Sequence, residues 1–251
     1  MKIAIKFLNL TLGLFLLVSC ASSKHTLSRS SEKAYYNYMV AVEAEMSHDW
    51  EEAIKYLRLA LEEDNSSVYL RSEISHAYLR MDKPDEAIKA AEEALKLSPD
   101  YEPVLFTLAT LYARQQDHEK AIEMYQRLIR ISPDNTQIYI HLAYLYRVSN
   151  KVDMAVQTLQ DVITRDPYNS TARYYLGKIY VETGEHELAI QELEKAVEID
   201  SLLWDGFYTL GLAYESIDKV DIAVKNYEKS LELNPQNQNA QKMIEKMQGD
   251  M

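Results

Sequence analysis

The chain has 251 residues, of which 47% are hydrophobic and 26% are charged, and its formal net charge is −12. This composition is ordinary for a folded protein and too apolar for a disordered one. An acidic chain repels phosphate backbones, which argues against nucleic acid as a partner. Only six glycines and six prolines are present, and this scarcity favours long helices over a loop-rich β fold.

The first element in chain order is an export signal, predicted for residues 1–19. Lys2 and Lys6 precede a mostly apolar stretch, residues 7–18, that is too short to span a bilayer stably. The sequence Leu-Val-Ser then leads into Cys20, the only cysteine of the chain. This arrangement resembles the lipobox of bacterial lipoproteins, which implies removal of the signal peptide and acylation of Cys20 with palmitate-type chains. An ordinary signal peptide followed by a chance cysteine is the alternative.

The acylated Cys20 is predicted to anchor the chain to a membrane. Each buried lipid methylene contributes about 0.8 kcal/mol, so two or three acyl chains hold a protein without a transmembrane helix. Ala21 follows the cysteine. In enteric lipoproteins an aspartate at this place favours the inner membrane, so the resemblance implies the outer membrane, with the protein facing the periplasm. Residues 20–33 are polar and rich in serine, and we predict a flexible tether there.

The remaining chain repeats with a period of 34 residues, in six blocks without insertion or deletion. Position 20 is alanine in every block, position 8 is always alanine, serine or glycine, and position 11 is tyrosine in five blocks. Apolar residues recur at helical spacing in two runs per block, with a polar turn between them. We therefore predict one helix–turn–helix unit in each of the blocks 34–67, 68–101, 102–135, 136–169, 170–203 and 204–237.

This repeat resembles the tetratricopeptide repeat (TPR) family, whose unit has the same length. The resemblance implies an all-α fold of the α-solenoid type, a right-handed superhelix with a concave groove. Small residues at positions 8 and 20 let the two helices of a unit approach closely. Residues 238–251 are predicted to be a capping helix and tail, with Met243, Ile244 and Met247 facing the last repeat.

The sequence offers no pattern typical of catalysis or metal binding. The six histidines lack a His-x-x-x-His pairing, and no second cysteine could join them. No Gly-x-Ser-x-Gly motif and no glycine-rich phosphate loop is present. We therefore predict a protein that is not an enzyme and holds neither cofactor nor metal, with a regulatory subunit of an envelope enzyme as an open alternative.

The TPR resemblance implies that positions 2, 5, 6, 9, 12 and 13 of each first helix line the groove. At these positions the sequence places aromatic and cationic residues, the types that dominate binding hot spots. The alternative is that the rings pack between repeats and the arginines pair with nearby glutamates. The predicted groove residues are Tyr38, Tyr69, His76, Arg80, Phe106, Arg114, Tyr144, Arg147, Tyr174, Lys178 and Tyr208.

The predicted function is a scaffold or adaptor that binds a segment of an envelope protein through this groove. A narrower alternative is a pilotin-like assembly factor for a pilus or secretion secretin, or for an outer-membrane machine. Self-assembly through the repeats is a further alternative. The carboxylate clamp of chaperone-binding TPR domains is missing, because its five positions hold Tyr38, Val42, Glu73, Pro103 and Thr107.

Overall fold

The computed structural model describes residues 29–249, and within this range it holds thirteen α-helices and no strand. The predicted all-α fold of repeated helix pairs is therefore confirmed. The predicted signal peptide, Cys20 and residues 20–28 lie outside the described residues, as do residues 250–251. The helices are α1 (Arg29–Met46), α2 (Trp50–Glu63), α3 (Val68–Arg80), α4 (Pro84–Leu97), α5 (Glu102–Arg114), α6 (His118–Ile131), α7 (Thr136–Val148), α8 (Val152–Arg165), α9 (Ser170–Thr183), α10 (His186–Ile199), α11 (Trp204–Glu215), α12 (Val220–Leu233) and α13 (Gln238–Gly249).

The chain divides into two compact units, residues 1–98 and residues 99–251. Unit 1 contains α1 to α4, and unit 2 contains α5 to α13. In each unit, consecutive helices form antiparallel hairpins that pack in chain order. Among residues 29–249, no helix is both long enough and apolar enough to cross a membrane.

Helix starts recur with the period of the sequence. Second helices begin at Trp50 and then at every thirty-fourth residue as far as Val220, and first helices do the same from Val68 to Gln238. The last helix, α13, therefore begins where the first helix of a further repeat would begin. It packs on α12 and buries Ile244 and Met247, while Met243 is only partly buried.

The start of α1 differs from the prediction. The helix begins at Arg29 rather than at residue 34, so the predicted tether is wrong for its last five residues. The Ser30 hydroxyl donates to the Glu63 carbonyl oxygen at 2.8 Å, and Lys33 Nζ lies 3.3 Å from the Glu63 carboxylate. These contacts tie the first turns of α1 to the end of α2, and a polar local sequence does not reveal them.

Close packing inside each hairpin depends on the small residues at positions 8 and 20. All six alanines at position 20 are fully buried. The Ser75 hydroxyl, at position 8, donates to the Ala87 carbonyl oxygen at 2.8 Å. A Cβ atom added to Gly211 would lie 2.5 Å from the Tyr227 ring. The two backbones are therefore as close as the sequence predicted.

The tyrosine at position 11 joins neighbouring repeats. In at least four of the five repeats that carry this tyrosine, its hydroxyl bonds to the side chain at position 25 of the preceding repeat. Examples are the pairs Arg58–Tyr78 at 2.7 Å and Gln126–Tyr146 at 3.0 Å. Tyr214 makes the same contact by donating to Glu194. This tyrosine is therefore a scaffold residue in both units.

Each hairpin turn contains one residue in the left-handed region of backbone conformation, always at position 15. Gly184 has a φ of 84°. The other five have φ between 55° and 63°, although their Cβ atoms disfavour it: His48, Asp82, Gln116, Asn150 and Asp218.

Candidate partner-binding surfaces on the first helices

We define the first-helix surface of each unit as the side chains at positions 2, 5, 6, 9, 12 and 13 of its first helices. In unit 1 these lie on α1 and α3, and in unit 2 on α5, α7, α9 and α11. Each unit therefore carries one first-helix surface of its own.

Two tyrosines join α1 to α3 in unit 1. The hydroxyl oxygens of Tyr38 and Tyr69 lie 2.8 Å apart, and the rings meet edge to face with centroids 5.7 Å apart. The hydrogen bond with Tyr38, followed by burial, raises the pKa of Tyr69 well above its ordinary value. Tyr69 nevertheless remains 45% exposed, so part of its ring is available to a partner.

Two carboxyl groups lie beside this tyrosine pair, Glu45 on α1 and Glu73 on α3. Burial raises the pKa of both, and the charge of Glu73 adds to the effect on Glu45. His76 Nδ1 lies 3.9 Å from Glu73 Oε1. Burial lowers the pKa of His76, and the charge of Glu45 partly opposes this shift. The partly desolvated site therefore holds two carboxyl groups of raised pKa next to an exposed histidine of lowered pKa.

Neither Glu45 nor Glu73 was among the predicted site residues. Both occupy lining positions, 12 and 6, so the same position map applied to acidic residues would have found them. The nearby Arg80 is exposed, and its guanidinium carbon lies 5.9 Å from the ring centroid of Trp50. Unit 1 thus combines one predicted cation with two carboxylates that were missed.

In unit 2, three aromatic rings form a cluster between α5, α6 and α7. The centroid of Phe106 lies 6.1 Å from that of Tyr125 and 5.9 Å from that of His141, and the last two rings stack at 5.6 Å. Burial lowers the pKa of His141, so its ring remains neutral and suited to stacking near neutral pH. Phe106 keeps 42% of its surface exposed.

A second contact group joins α7 to α9. The guanidinium of Arg147 lies 5.2 Å from the Tyr144 ring centroid, and its Nη1 lies 3.0 Å and 3.1 Å from the two carboxylate oxygens of Glu182. Arg147 is therefore engaged inside the protein, as the alternative interpretation of the arginines expected. Tyr144 remains 47% exposed.

Towards α11 the predicted residues are mostly packed. Tyr174 is only 9% exposed, and burial raises its pKa to about 12. Lys178 Nζ lies 5.9 Å from the centroid of the same ring. The Tyr208 ring lies 5.7 Å from that of the fully buried Tyr227. Tyr174 and Lys178 therefore pack against each other along α9, and Tyr208 packs against Tyr227 within its own hairpin.

Three predicted residues of unit 2 remain open to solvent. Phe106 and Tyr144 expose large parts of their rings. Arg114 is exposed and makes no ion pair with any residue in the range 29–249. In that range no group of three or more metal-ligating side chains could hold a metal ion.

Family comparisons agree with the repeated helix pairs. Tetratricopeptide repeat models match residues 80–139, 113–167 and 205–237, and a TPR repeat model matches residues 177–218. Together they span more than half of the chain. The chain belongs to the tetratricopeptide repeat family. TPR arrays bind other proteins through the extended surfaces that stacked repeats create, and the family is generally non-catalytic.

Solved structures of other TPR proteins have the same fold. Pseudomonas aeruginosa pilF is 14% identical with a TM-score of 0.64, covering 88% of this chain and 99% of its own. YrrB, described as a TPR protein with an unusual peptide-binding site, is 17% identical with a TM-score of 0.59, covering 73% and 95%. MamA is 27% identical with a TM-score of 0.59, covering 66% and 97%. No curated protein sequence matches the chain.

Proposed function

We propose that this TPR protein is a non-catalytic scaffold that holds a segment of another envelope protein on the first-helix surface of unit 2. Acyl chains on Cys20 anchor it to the outer membrane, with the repeats facing the periplasm. The observation that carries the proposal is the set of exposed side chains on two neighbouring helices. Phe106 and Tyr144 are 42% and 47% exposed, and Arg114 on the same helix as Phe106 has no ion-pair partner among the described residues.

These side chains suit a segment that carries both apolar and acidic residues. An aromatic ring offers a large contact area at low cost in conformational entropy. An arginine binds a carboxylate through two parallel hydrogen bonds. Phe106 and Arg114 lie eight residues apart on α5, close to two helical turns, so they share one face of the helix.

A narrower form of the proposal is an assembly factor for a pilus, a secretion system or another outer-membrane machine. The likeness to pilF covers almost the whole of that chain, which supports a similar number of repeats. The peptide-binding site named for YrrB supports a peptide segment as the ligand. At these identities both comparisons concern the fold, so the partner must be found by experiment.

The experiment is affinity capture from solubilised envelopes, with the lipidated protein as bait. We expect one or a few envelope proteins to bind, and the double variant Phe106→Ser with Arg114→Glu to reduce their capture at least tenfold, a loss of about 1.4 kcal/mol. The bait itself should fractionate with outer membranes, and Cys20→Ser should release it.

A matched control is Tyr168→Ser, which removes an aromatic ring that is 80% exposed in the loop after α8. This variant should capture partners normally. Unchanged capture by the double variant, with helical content intact, would remove the unit 2 surface from the proposal. Absence of secretin and barrel-assembly subunits from the captured proteins would reject the narrower form.

A further inference from the structure

One side of α1, which includes positions 2, 6 and 13 of the unit 1 first-helix surface, is the most exposed apolar surface among residues 29–98. We define this α1 face by Tyr35, Tyr36, Met39 and Met46, which are 45%, 64%, 42% and 79% exposed. They follow one another at close to helical spacing, so they share one broad side of the helix. Among residues 29–249, α1 is the first helix, so no earlier helix of that range packs against these four side chains.

The corresponding positions of later repeats show why this face is unusual. At positions 3 and 7 the next first helix, α3, carries Leu70 and Ile74, both only 6% exposed. In α1, position 3 is the 64% exposed Tyr36. Positions 2, 6 and 13 of α1 are Tyr35, Met39 and Met46, and no other first helix is apolar or aromatic at all three.

The neighbouring helix continues this surface. Leu59 on α2 is at position 26, where the five later repeats carry only charged residues. Together with Glu32, Lys33, Tyr36, Asn37 and Glu63 it lines a cleft of about 470 Å³. An apolar residue has therefore replaced a charge beside the exposed tyrosine, which enlarges the apolar surface.

The charges on this surface are mainly acidic. Glu32, Tyr36, Met39 and Glu43 are spaced by four, three and four residues and so form one stripe along α1. Arg29 precedes this stripe at helical spacing, and Lys33 beside it lies 3.3 Å from a Glu63 carboxylate oxygen, which offsets its charge. The face therefore combines apolar contact area with negative charge.

We infer that the α1 face binds a basic amphipathic segment of a partner protein. Its apolar side chains cover Tyr36, Met39 and Leu59, and its lysines or arginines lie near Glu32 and Glu43. This is the mode in which an amphipathic helix lays its apolar side on a complementary surface. The same carboxylates repel an anionic lipid surface, so a protein segment fits the charge better than a membrane.

The test uses the full-length protein in phosphatidylcholine nanodiscs and two fluorescent amphipathic peptides. One peptide has leucine and lysine and the other leucine and glutamate, in the same helical pattern. Fluorescence anisotropy should show the basic peptide binding at least tenfold more tightly. Tyr36→Ser with Met39→Ser should weaken this binding at least tenfold, and Glu32→Lys with Glu43→Lys should reverse the preference.

The control is Tyr168→Ser with Leu202→Ser, which removes exposed apolar groups from two loops of unit 2 and should change nothing. Phe106→Ser with Arg114→Glu should also leave the basic peptide bound, so this test and the test of the proposed function can fail separately. Circular dichroism checks that each variant is folded.

Equal binding of both peptides would overturn the inference. So would a dimer in light scattering that Met39→Ser dissociates, or peptide binding that nanodisc lipid abolishes relative to detergent.

Discussion

The first-helix surfaces of the two units use the same repeat positions and carry different chemistry. In unit 1, Glu45 and Glu73 flank a tyrosine pair, and Arg80 stacks near Trp50. At the same repeat positions unit 2 carries three cations, Arg114, Arg147 and Lys178, among aromatic rings. The residues that hold each hairpin together hardly differ between the units. Both units, for example, bury alanine at position 20. A TPR array thus separates the residues that hold the fold from those that select a partner.

The largest expected effect comes from removing a core leucine in either unit. Leu57 and Leu193 both occupy position 24 and are fully buried, so Leu57→Ala and Leu193→Ala should each cost about 2–5 kcal/mol. Each repeat contacts only its neighbours. Native-state hydrogen exchange should therefore lose protection mainly around α1 to α3 in the first variant and around α9 to α11 in the second.

The control for both is Leu97→Ala, which truncates a leucine that is 48% exposed and should change stability by less than about 0.5 kcal/mol. If both core variants instead lost protection equally over residues 29–249, the two units would not lose stability separately.

A smaller effect is expected from Glu73→Gln in unit 1. Burial holds the folded-state pKa of Glu73 above its ordinary 4.5, so the folded chain binds this proton more readily than the unfolded chain. At a pH above this raised pKa the carboxylate is ionised in both states, and its desolvation opposes folding. The variant should then melt roughly 1–3 °C higher.

This gain should shrink as the pH falls through the raised pKa towards 4.5, because the wild-type carboxyl group becomes protonated in the folded state first. Thermal melts of both proteins between pH 4 and pH 7 measure the difference. Glu62→Gln, an exposed change on α2, should show no such trend. A constant gain at every pH would contradict the explanation by desolvation.

The smallest effect concerns the ion pair of Arg147 with Glu182 in unit 2. The two side chains are 21% and 42% exposed, so a double-mutant cycle with Arg147→Met and Glu182→Gln should give a coupling of about 0.5 kcal/mol. The coupling should weaken in 1 M salt. The pair of Lys33 with Glu63 in unit 1 is more exposed and should give a smaller coupling energy. A larger coupling energy for that pair would contradict the expected order of the two units.

The fold could be predicted from the sequence because its determinants are local. Position 20 needs alanine because the facing helix leaves no space, and this requirement appears in the sequence as a strict period. Helix starts follow the same period because turn residues and caps lie beside the helices that they end. The start of α1 at Arg29 was missed because its contacts are with Glu63, more than thirty residues away.

The candidate surfaces could be predicted only in part. The position map identified Phe106, Arg114 and Tyr144, which are exposed as expected. It did not reveal that Tyr174 is buried or that Arg147 meets Glu182, because these contacts depend on how one repeat is rotated against the next. The exposure of a side chain depends on how two adjacent repeats pack, and its position within a single repeat does not determine that packing.

The left-handed residue in each hairpin turn has a consequence for protein engineering. Five of the six turns use a residue with a side chain where glycine would be relaxed, and each such residue costs roughly 1 kcal/mol. These turns belong to neither first-helix surface. Glycine at these sites should thus give a more thermostable version of the protein whose partner selection is unaltered, suited to calorimetry and crystallisation.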